Sequence, residues 1–358
     1  MNQAATIFDL PTPALILDRF KLRANADRMR ERVRSLGVTL RPHVKTSKSI
    51  DVLRLLSGGA DVPITVSTLA EARYFFEQGI RDILYAVGIA PVKLPQVAEL
   101  IRAGCRLRII LDSLEAAEIV QSFAVAEGVD IEALIEIARR YSSGLVGVMT
   151  HAGGSYSARN LGEFETIAER ERAGAVQAAD RLRSAGFPVE IVSVGSTPTV
   201  LYARTLEGVT EARVGVYAFG DLVQAELGTC AIEDIAISVL ASVIGHNRNH
   251  GRVLVDAGFL ALSRDRGTAD FPVDWGYGAV CDARTGTPIE GVRVESTNQE
   301  HGIVTAPRGD LDWSLFPIGG RVRILPNHAC ATAAAYDRYF VTEGTDAIVD
   351  TWERVNGW

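Results

Sequence analysis

Four stretches of the 358-residue chain carry residue types whose spacing could do chemistry. The first, Arg41-Pro42-His43-Val44-Lys45-Thr46, sets a lysine just past a short apolar run. A lysine partly desolvated there, with other cations close by, can lose its proton and form a Schiff base with an aldehyde. In open solvent it is one more surface charge. The second is Val194-Gly195-Ser196-Thr197-Pro198-Thr199, where Gly195 allows close backbone approach and the hydroxyls can donate to an anion. Such a loop opening a helix can hold a phosphate, although most Gly-Ser-Thr turns only cap helices. Nearby, Arg213-Val214-Gly215-Val216-Tyr217 offers a small residue flanked by two polar ones. The third, Pro326-Asn327-His328-Ala329-Cys330, reads as strand-like, so His328 and Cys330 would share a side. Imidazole with thiolate suits zinc, and the plain alternative is a buried histidine beside an inert cysteine. The fourth, residues 150–156, brings His151 and Tyr156, which could orient a ring or move protons. Glu300 and His301 read equally as an ordinary turn, and His246 and His250 as surface residues.

These residues need a scaffold, and apolar patterning predicts one. Apolar runs at 39–44, 64–67, 82–87, 107–112, 133–137, 145–150, 189–194 and 211–216 read as strands. Their continuous apolar character suits parallel strands covered on both faces. Amphipathic stretches such as 69–78, 93–103 and 163–184 lie between them. The prediction is an α/β chain with a (β/α)8 barrel over 19–235, followed by a mainly β domain over 236–358. Strands are expected there at 235–244, 252–257, 291–296, 321–325 and 338–341, and residues 1–18 could pack with that domain. Lys45 would then sit at the C-terminal end of the first barrel strand, where barrel active sites are built. The loops after strands seven and eight are the usual barrel phosphate site. One junction is anomalous: only residues 138–144 separate the fifth and sixth strands. A parallel crossover needs about ten to twelve residues.

Composition narrows the function classes. The chain is 47% hydrophobic and 23% charged, as expected of a soluble globular enzyme. Its formal charge of −7 argues against nucleic acid as a partner. No run of about 18 apolar residues is present, which argues against a membrane-spanning helix. The N-terminal residues lack the basic-then-apolar order of a secretory signal. Cys105, Cys230, Cys281 and Cys330 are scattered, so a reducing cytoplasm is the expected location.

Five motifs in one order resemble the D-threonine aldolase and D-serine dehydratase family of fold-type III, alanine-racemase-like pyridoxal-phosphate enzymes. They are Arg-Pro-His-Val-Lys-Thr at 41–46, His-Ala-Gly-Gly-Ser-Tyr at 151–156, Val-Gly-Ser-Thr-Pro-Thr at 194–199, Glu-His-Gly at 300–302 and Pro-Asn-His-Ala-Cys at 326–330. The resemblance spans nearly the whole chain. It implies that Lys45 is the Schiff-base lysine, with His43 binding the cofactor and Tyr156, a second catalytic residue, lining the cofactor ring and substrate. It implies that Gly195, Ser196 and Thr197 surround the phosphate, with backbone donors from Gly215 and Val216. Arg213 and Tyr217 would lie near the ring or the phosphate, and His328 and Cys330 would hold a divalent metal, zinc or manganese. It further implies a homodimer with shared active sites and a small D-amino acid substrate. The implied reaction is dehydration of a D-β-hydroxy amino acid such as D-serine or D-threonine. Aldol cleavage to glycine and an aldehyde is the alternative, and an amino-acid racemase or a non-enzymatic cofactor carrier is the more distant one. Many members carry Asp-x-Gly-x-x-Arg-x-Gly after the fifth strand, its Arg near the cofactor's phenolic oxygen. Here Ile137 runs straight into Ala138-Arg139-Arg140, at the short junction. Aldolases often have histidine where Gly154 stands, which leans the reading toward dehydration.

Overall fold

The computed structural model describes residues 5–59, 61–135 and 144–358. Two compact units emerge: one of residues through Ala26 with Val216–Arg354, the other of Asp27–Gly215 with Val355–Trp358. The first strand, β1 (Ala14–Asp18), and the first turns of α1 (Arg19–Ser35) fall in the former unit.

The Asp27–Gly215 unit repeats one plan. Its strands are β2 (Thr39–Pro42), β3 (Ile64–Val66), β4 (Asp82–Gly88), β5 (Arg106–Leu111), β6 (Glu132–Ile135), β7 (Leu145–Met149), β8 (Ile191–Val194) and β9 (Glu211–Val214). They form one parallel sheet in the order β2-β9-β8-β7-β6-β5-β4-β3. Between them run α2 (Ile50–Ser57), α3 (Leu69–Glu77), α4 (Leu94–Arg102), α5 (Leu114–Glu127), α6 (Leu161–Ser184) and α7 (Thr197–Tyr202). Polar side chains cap α3, α5, α6 and α7. Thr68, Ser113, Asn160 and Ser196 accept from the backbone N–H three residues on, satisfying donors a helix start leaves open. An isolated parallel bridge joins His43 to Thr65. β6 and β7 pair in parallel across residues 136–144, shorter than an ordinary crossover. Ile137, Ala138, Arg139 and Arg140 lie outside the described residues.

The strands are less uniformly apolar than their runs suggest. Arg41, Glu211, Arg213 and Arg108 are buried, alternating with apolar neighbours at a period of two. Arg41, Arg108 and Glu211 are ion-paired. Arg41 Nε donates to Glu211 Oε2 at 2.8 Å and its Nη1 to Asp82 Oδ1 at 2.9 Å. Asp82 also accepts from Arg108 and Arg106, at 2.8 and 2.6 Å. Burial alone would raise the Asp82 carboxyl, but Arg41 and Arg108 outweigh it and hold it below its usual value.

The other unit is mainly β. β10 (Ile237–Asn247), β11 (Arg252–Val255), β12 (Ala279–Asp282), β13 (Pro288–Thr297), β14 (Gly302–Thr305), β15 (Arg321–Leu325), β16 (Arg338–Thr342) and β17 (Asp350–Glu353) join β1 in one sheet. Its order is β11-β14-β13-β12-β15-β10-β1-β16-β17, and β11 also pairs with β10, so part of the sheet returns on itself. β1 lies antiparallel to β10 and parallel to β16. Its Ala14 and Ile16 pack with Ile7, Leu10 and Leu240. The four-residue strands β12, β14 and β17 are not expected from the sequence, being too short to show a period. Three short helices, α8 (Leu222–Glu226), α9 (Phe259–Leu262) and α10 (Ala329–Ala333), interrupt the β structure. The strand-like reading of residues 326–330 is therefore corrected: β15 ends at Leu325, His328 caps α10 and Cys330 lies inside it. Among the described residues no helix is long and apolar enough to cross a membrane.

Candidate functional site

In the parallel-sheet unit, most of the expected residues gather at the C-terminal ends of β2, β7, β8 and β9. Lys45 stands exposed on the turn after β2. His43 is bound to the next strand through its N–H, which donates to the Val214 carbonyl at 2.8 Å. Gly215 comes so close to His43 that a Cβ would fall 2.7 Å from the His43 carbonyl oxygen. Gly195, at φ +146°, packs on β9 so tightly that a Cβ would lie 2.3 Å from the Arg213 carbonyl oxygen. Only glycine fits there, on both counts. His151 Nδ1 meets the same Gly195 carbonyl at 2.6 Å, and Ser155 Oγ meets Ser196 Oγ at 3.0 Å. Tyr156 lies half-buried in the 3₁₀ turn Gly153–Ser157.

The arrangement defines what could hold a phosphate and what could not. The Gly195 N–H donates to Glu171 Oε1 at 3.1 Å, and the Ser196 N–H to Thr199 Oγ1 at 3.2 Å. Gly195 therefore contributes close packing rather than a donor. Among the described residues the N–H groups of Gly215 and Val216 meet no acceptor. Two successive unengaged N–H groups suit a phosphate. Arg213 Nε donates to Ser193 Oγ at 2.8 Å, its Nη2 donates to the Thr150 carbonyl, and Ser193 Oγ donates to Glu211 Oε1 at 2.7 Å. The guanidinium is thus fixed from behind. Ser193, Glu211 and Glu171 are absent from the sequence reading. A period-two polar pattern hints at the first two, and nothing local marks a glutamate on the long helix α6.

His43 Nδ1 is buried and meets no hydrogen-bond partner among the described residues. Burial first, then the positive charges of Lys45, Arg213 and His151, hold His43 well below the usual 6.5. The unfolded chain therefore binds this proton more readily than the folded one. Stability from this group is complete above about pH 6.5 and falls as pH drops below it, by about 1.4 kcal/mol per pH unit. Denaturation midpoints at about pH 7.5 and about pH 5.5 should show the loss, and His43→Gln should remove it. A loss of the same size in the variant would contradict the assignment.

The β unit carries the second cluster. His328 caps α10 at φ −137° and ψ 102°, so its side chain leaves the helix wheel and reaches Cys330. Two residues apart inside a helix they would point in different directions. His328 Nδ1 meets Asp265 Oδ2 at 2.8 Å, and hydrogen bonds to Asp265, then to Cys330, push His328 up to about 10 against its burial. Buried Asp221 accepts from the Ala329 and Gln224 N–H groups at 3.0 and 2.8 Å, and burial pushes it up to about 6. Cys105 and Cys281 are buried, and desolvation pushes them up to about 11 and about 12. Both are inert; Cys330 is half-exposed and beside an imidazole. An imidazole and a thiol in contact are ligand types that would suit a divalent ion such as zinc. Among the described residues no three metal-binding side chains converge, so His328 and Cys330 would leave positions open. Glu300 and His301 form the exposed turn between β13 and β14. His246, read as a surface residue, is half-buried at the end of β10, its Nε2 2.6 Å from the Phe316 carbonyl oxygen.

Residues 236–342 match the family described as "Putative serine dehydratase domain". Residues 17–142 and 127–223 match "Alanine racemase, N-terminal domain" in two pieces that overlap at the short junction. D-threo-3-hydroxyaspartate dehydratase of Delftia sp. (strain HT23) is 47% identical over 379 positions, covering 99% of each chain. An alignment of 379 positions on 358 residues requires at least 21 where that relative has a residue and this chain has none. D-serine dehydratase of Dictyostelium discoideum is 30% identical, covering 98% of each. Among solved structures, a cysteine-to-alanine mutant of D-threo-3-hydroxyaspartate dehydratase in the metal-free form matches with TM-score 0.94 at 46% identity, over 99% of this chain and 100% of that one. D-threonine aldolase from Filomicrobium marinum matches with TM-score 0.80 at 25% identity, over 99% of this chain and 98% of that one. The chain belongs to the D-serine dehydratase and D-threonine aldolase family of pyridoxal-phosphate lyases, with an alanine-racemase-type N-terminal domain.

Proposed function

We propose that this protein is a pyridoxal-phosphate- and divalent-metal-dependent dehydratase of D-β-hydroxy amino acids, of the D-serine and D-threo-3-hydroxyaspartate type. The observation that carries the reading is the His328–Cys330 pair, held in contact on the family's dehydratase domain. In this reading the parallel sheet closes as a (β/α)8 barrel. The His43–Thr65 bridge and the Val44 N–H on the Thr65 carbonyl at 2.9 Å support closure.

Bound pyridoxal phosphate supplies an electron sink for a bond broken at the substrate's Cα. Lys45 would hold the cofactor covalently, and its Nζ would serve as the base for the Cα proton. The Ser196 and Thr197 hydroxyls, with the Gly215 and Val216 N–H groups, bind the phosphate. Gly195 brings this loop onto β9. His43 and Tyr156 line the ring, and Arg213 and Tyr217 lie beside the ring or phosphate. His328 and Cys330 would hold zinc or manganese, which would supply Lewis acidity toward the β-hydroxyl. The protein works as a cytoplasmic homodimer with shared sites, a location supported by its four scattered cysteines, which show no disulfide spacing.

Stripping the metal with a chelator should lower turnover of D-serine by at least about 100-fold, and zinc or manganese should restore it. His328→Ala should lose turnover without restoration. Full turnover by a metal-free preparation would overturn the reading.

A further inference from the structure

We propose that Asp265 is the positioning residue of the metal site, its carboxylate gripping the Nδ1 edge of His328 so that Nε2 and the Cys330 thiol face one divalent ion. The inference rests on the metal reading above and extends it to a residue no motif marks.

The two nitrogens of an imidazole point away from each other, so a nitrogen engaged by a carboxylate is not the one that binds metal. Asp265 Oδ2 lies 2.8 Å from His328 Nδ1, which leaves Nε2 as the ligand atom. The same placement puts Asp265 on the far edge of the ring from the ion, so it orients rather than ligates. A carboxylate behind a ligating histidine fixes the tautomer and ring rotation and raises basicity. This matters more than usual here. His328 makes its contact with Cys330 from an extended backbone at the helix cap, off the helix wheel.

Asp265 is itself held from three sides. Its N–H donates to Ser263 Oγ at 3.2 Å, its carbonyl accepts from Asn327 Nδ2 at 3.0 Å, and its carboxylate accepts from the Gly267 N–H. Ser263 sits at φ +75°, an unfavourable conformation for serine that this turn enforces. Asn327, next to His328 in sequence, also donates to the Gly276 carbonyl at 2.7 Å and accepts from Thr268 Oγ1 at 3.0 Å. Asp221 fixes the Ala329 N–H between the two ligands. The 263–268 turn and the start of α10 thus form one hydrogen-bonded block, with the Asp265 carboxylate aimed at one ring edge.

The test uses the full-length, cofactor-loaded protein, stripped of metal and titrated with Zn²⁺ against a fluorescent chelator. Asp265→Ala should weaken Zn²⁺ binding by about 10- to 100-fold. His328→Ala should abolish it. With Co²⁺ as the ion, the thiolate-to-metal absorption band should persist in Asp265→Ala, because Cys330 still ligates. Asp265→Asn keeps the shape and an acceptor but loses the charge; it should weaken binding by about 10-fold, and it carries the test if the alanine variant does not fold. Wild-type affinity in both Asp265 variants would overturn the proposal. So would loss in Asp265→Ala as complete as in His328→Ala with the Co²⁺ band gone, which would make Asp265 a ligand. A wild-type protein that binds no Zn²⁺ would instead overturn the metal reading beneath it.

Discussion

Lys45→Ala is expected to lower turnover of a D-β-hydroxy amino acid by at least about 10⁴-fold, since it removes both the covalent tether and the Cα base. A neighbouring lysine could in principle substitute, and Lys48 is three residues away. Its Nζ is taken, however, lying 3.1 Å from Glu71 Oε1 against a fully buried glutamate. Its backbone is fixed too, at φ 48°, with its N–H on the Val44 carbonyl and its carbonyl accepting from Val355. Withdrawing Lys48 would strand the Glu71 charge, so it is not free to replace Lys45. Borohydride trapping and peptide mass mapping check this: the cofactor should be found on Lys45 in the wild type and on no lysine in the variant. Label on Lys48 in Lys45→Ala would contradict the assignment.

Glu211→Gln is expected to cost about 3–5 kcal/mol of stability, far more than a surface charge reversal. Glu211 is 5% exposed and compensates Arg41, which is 3% exposed. Without it, the carboxylate of Asp82 would answer three guanidiniums, those of Arg41, Arg106 and Arg108. Arg108 alone among them has a further carboxylate, Glu132, at 2.6 Å. Ser193 Oγ would lose its charged acceptor, and with it Arg213 would lose part of its anchor. Denaturant midpoints of the two proteins give the difference. A loss below about 1 kcal/mol would show that the buried network is not what holds these strand ends.

The sequence reveals the repeating strand–helix plan because strands covered on both faces leave continuous apolar runs, and polar caps mark where helices start. It does not reveal the charged interior. A charge in a strand is buried only if its partner arrives, and Glu211 pairs with Arg41 across 170 positions. The same limit hides Asp265, which meets His328 across 63 positions, in a turn with no motif. His328 and Cys330 are visible by type, yet their reading as a strand fails because a cap residue adopts strand-like angles at the mouth of a helix. Gly195 shows the reverse case: its need for glycine is legible, but Glu171 takes the N–H that the motif suggested for an anion.

The account stands most directly on what the enzyme makes. Purified protein with pyridoxal phosphate and Mn²⁺ or Zn²⁺ is incubated with D-threo-3-hydroxyaspartate, and separately with D-threonine. Dehydration predicts oxaloacetate with ammonia from the first and 2-oxobutanoate with ammonia from the second. Glycine with glyoxylate, or glycine with acetaldehyde, would contradict it and make the protein an aldolase.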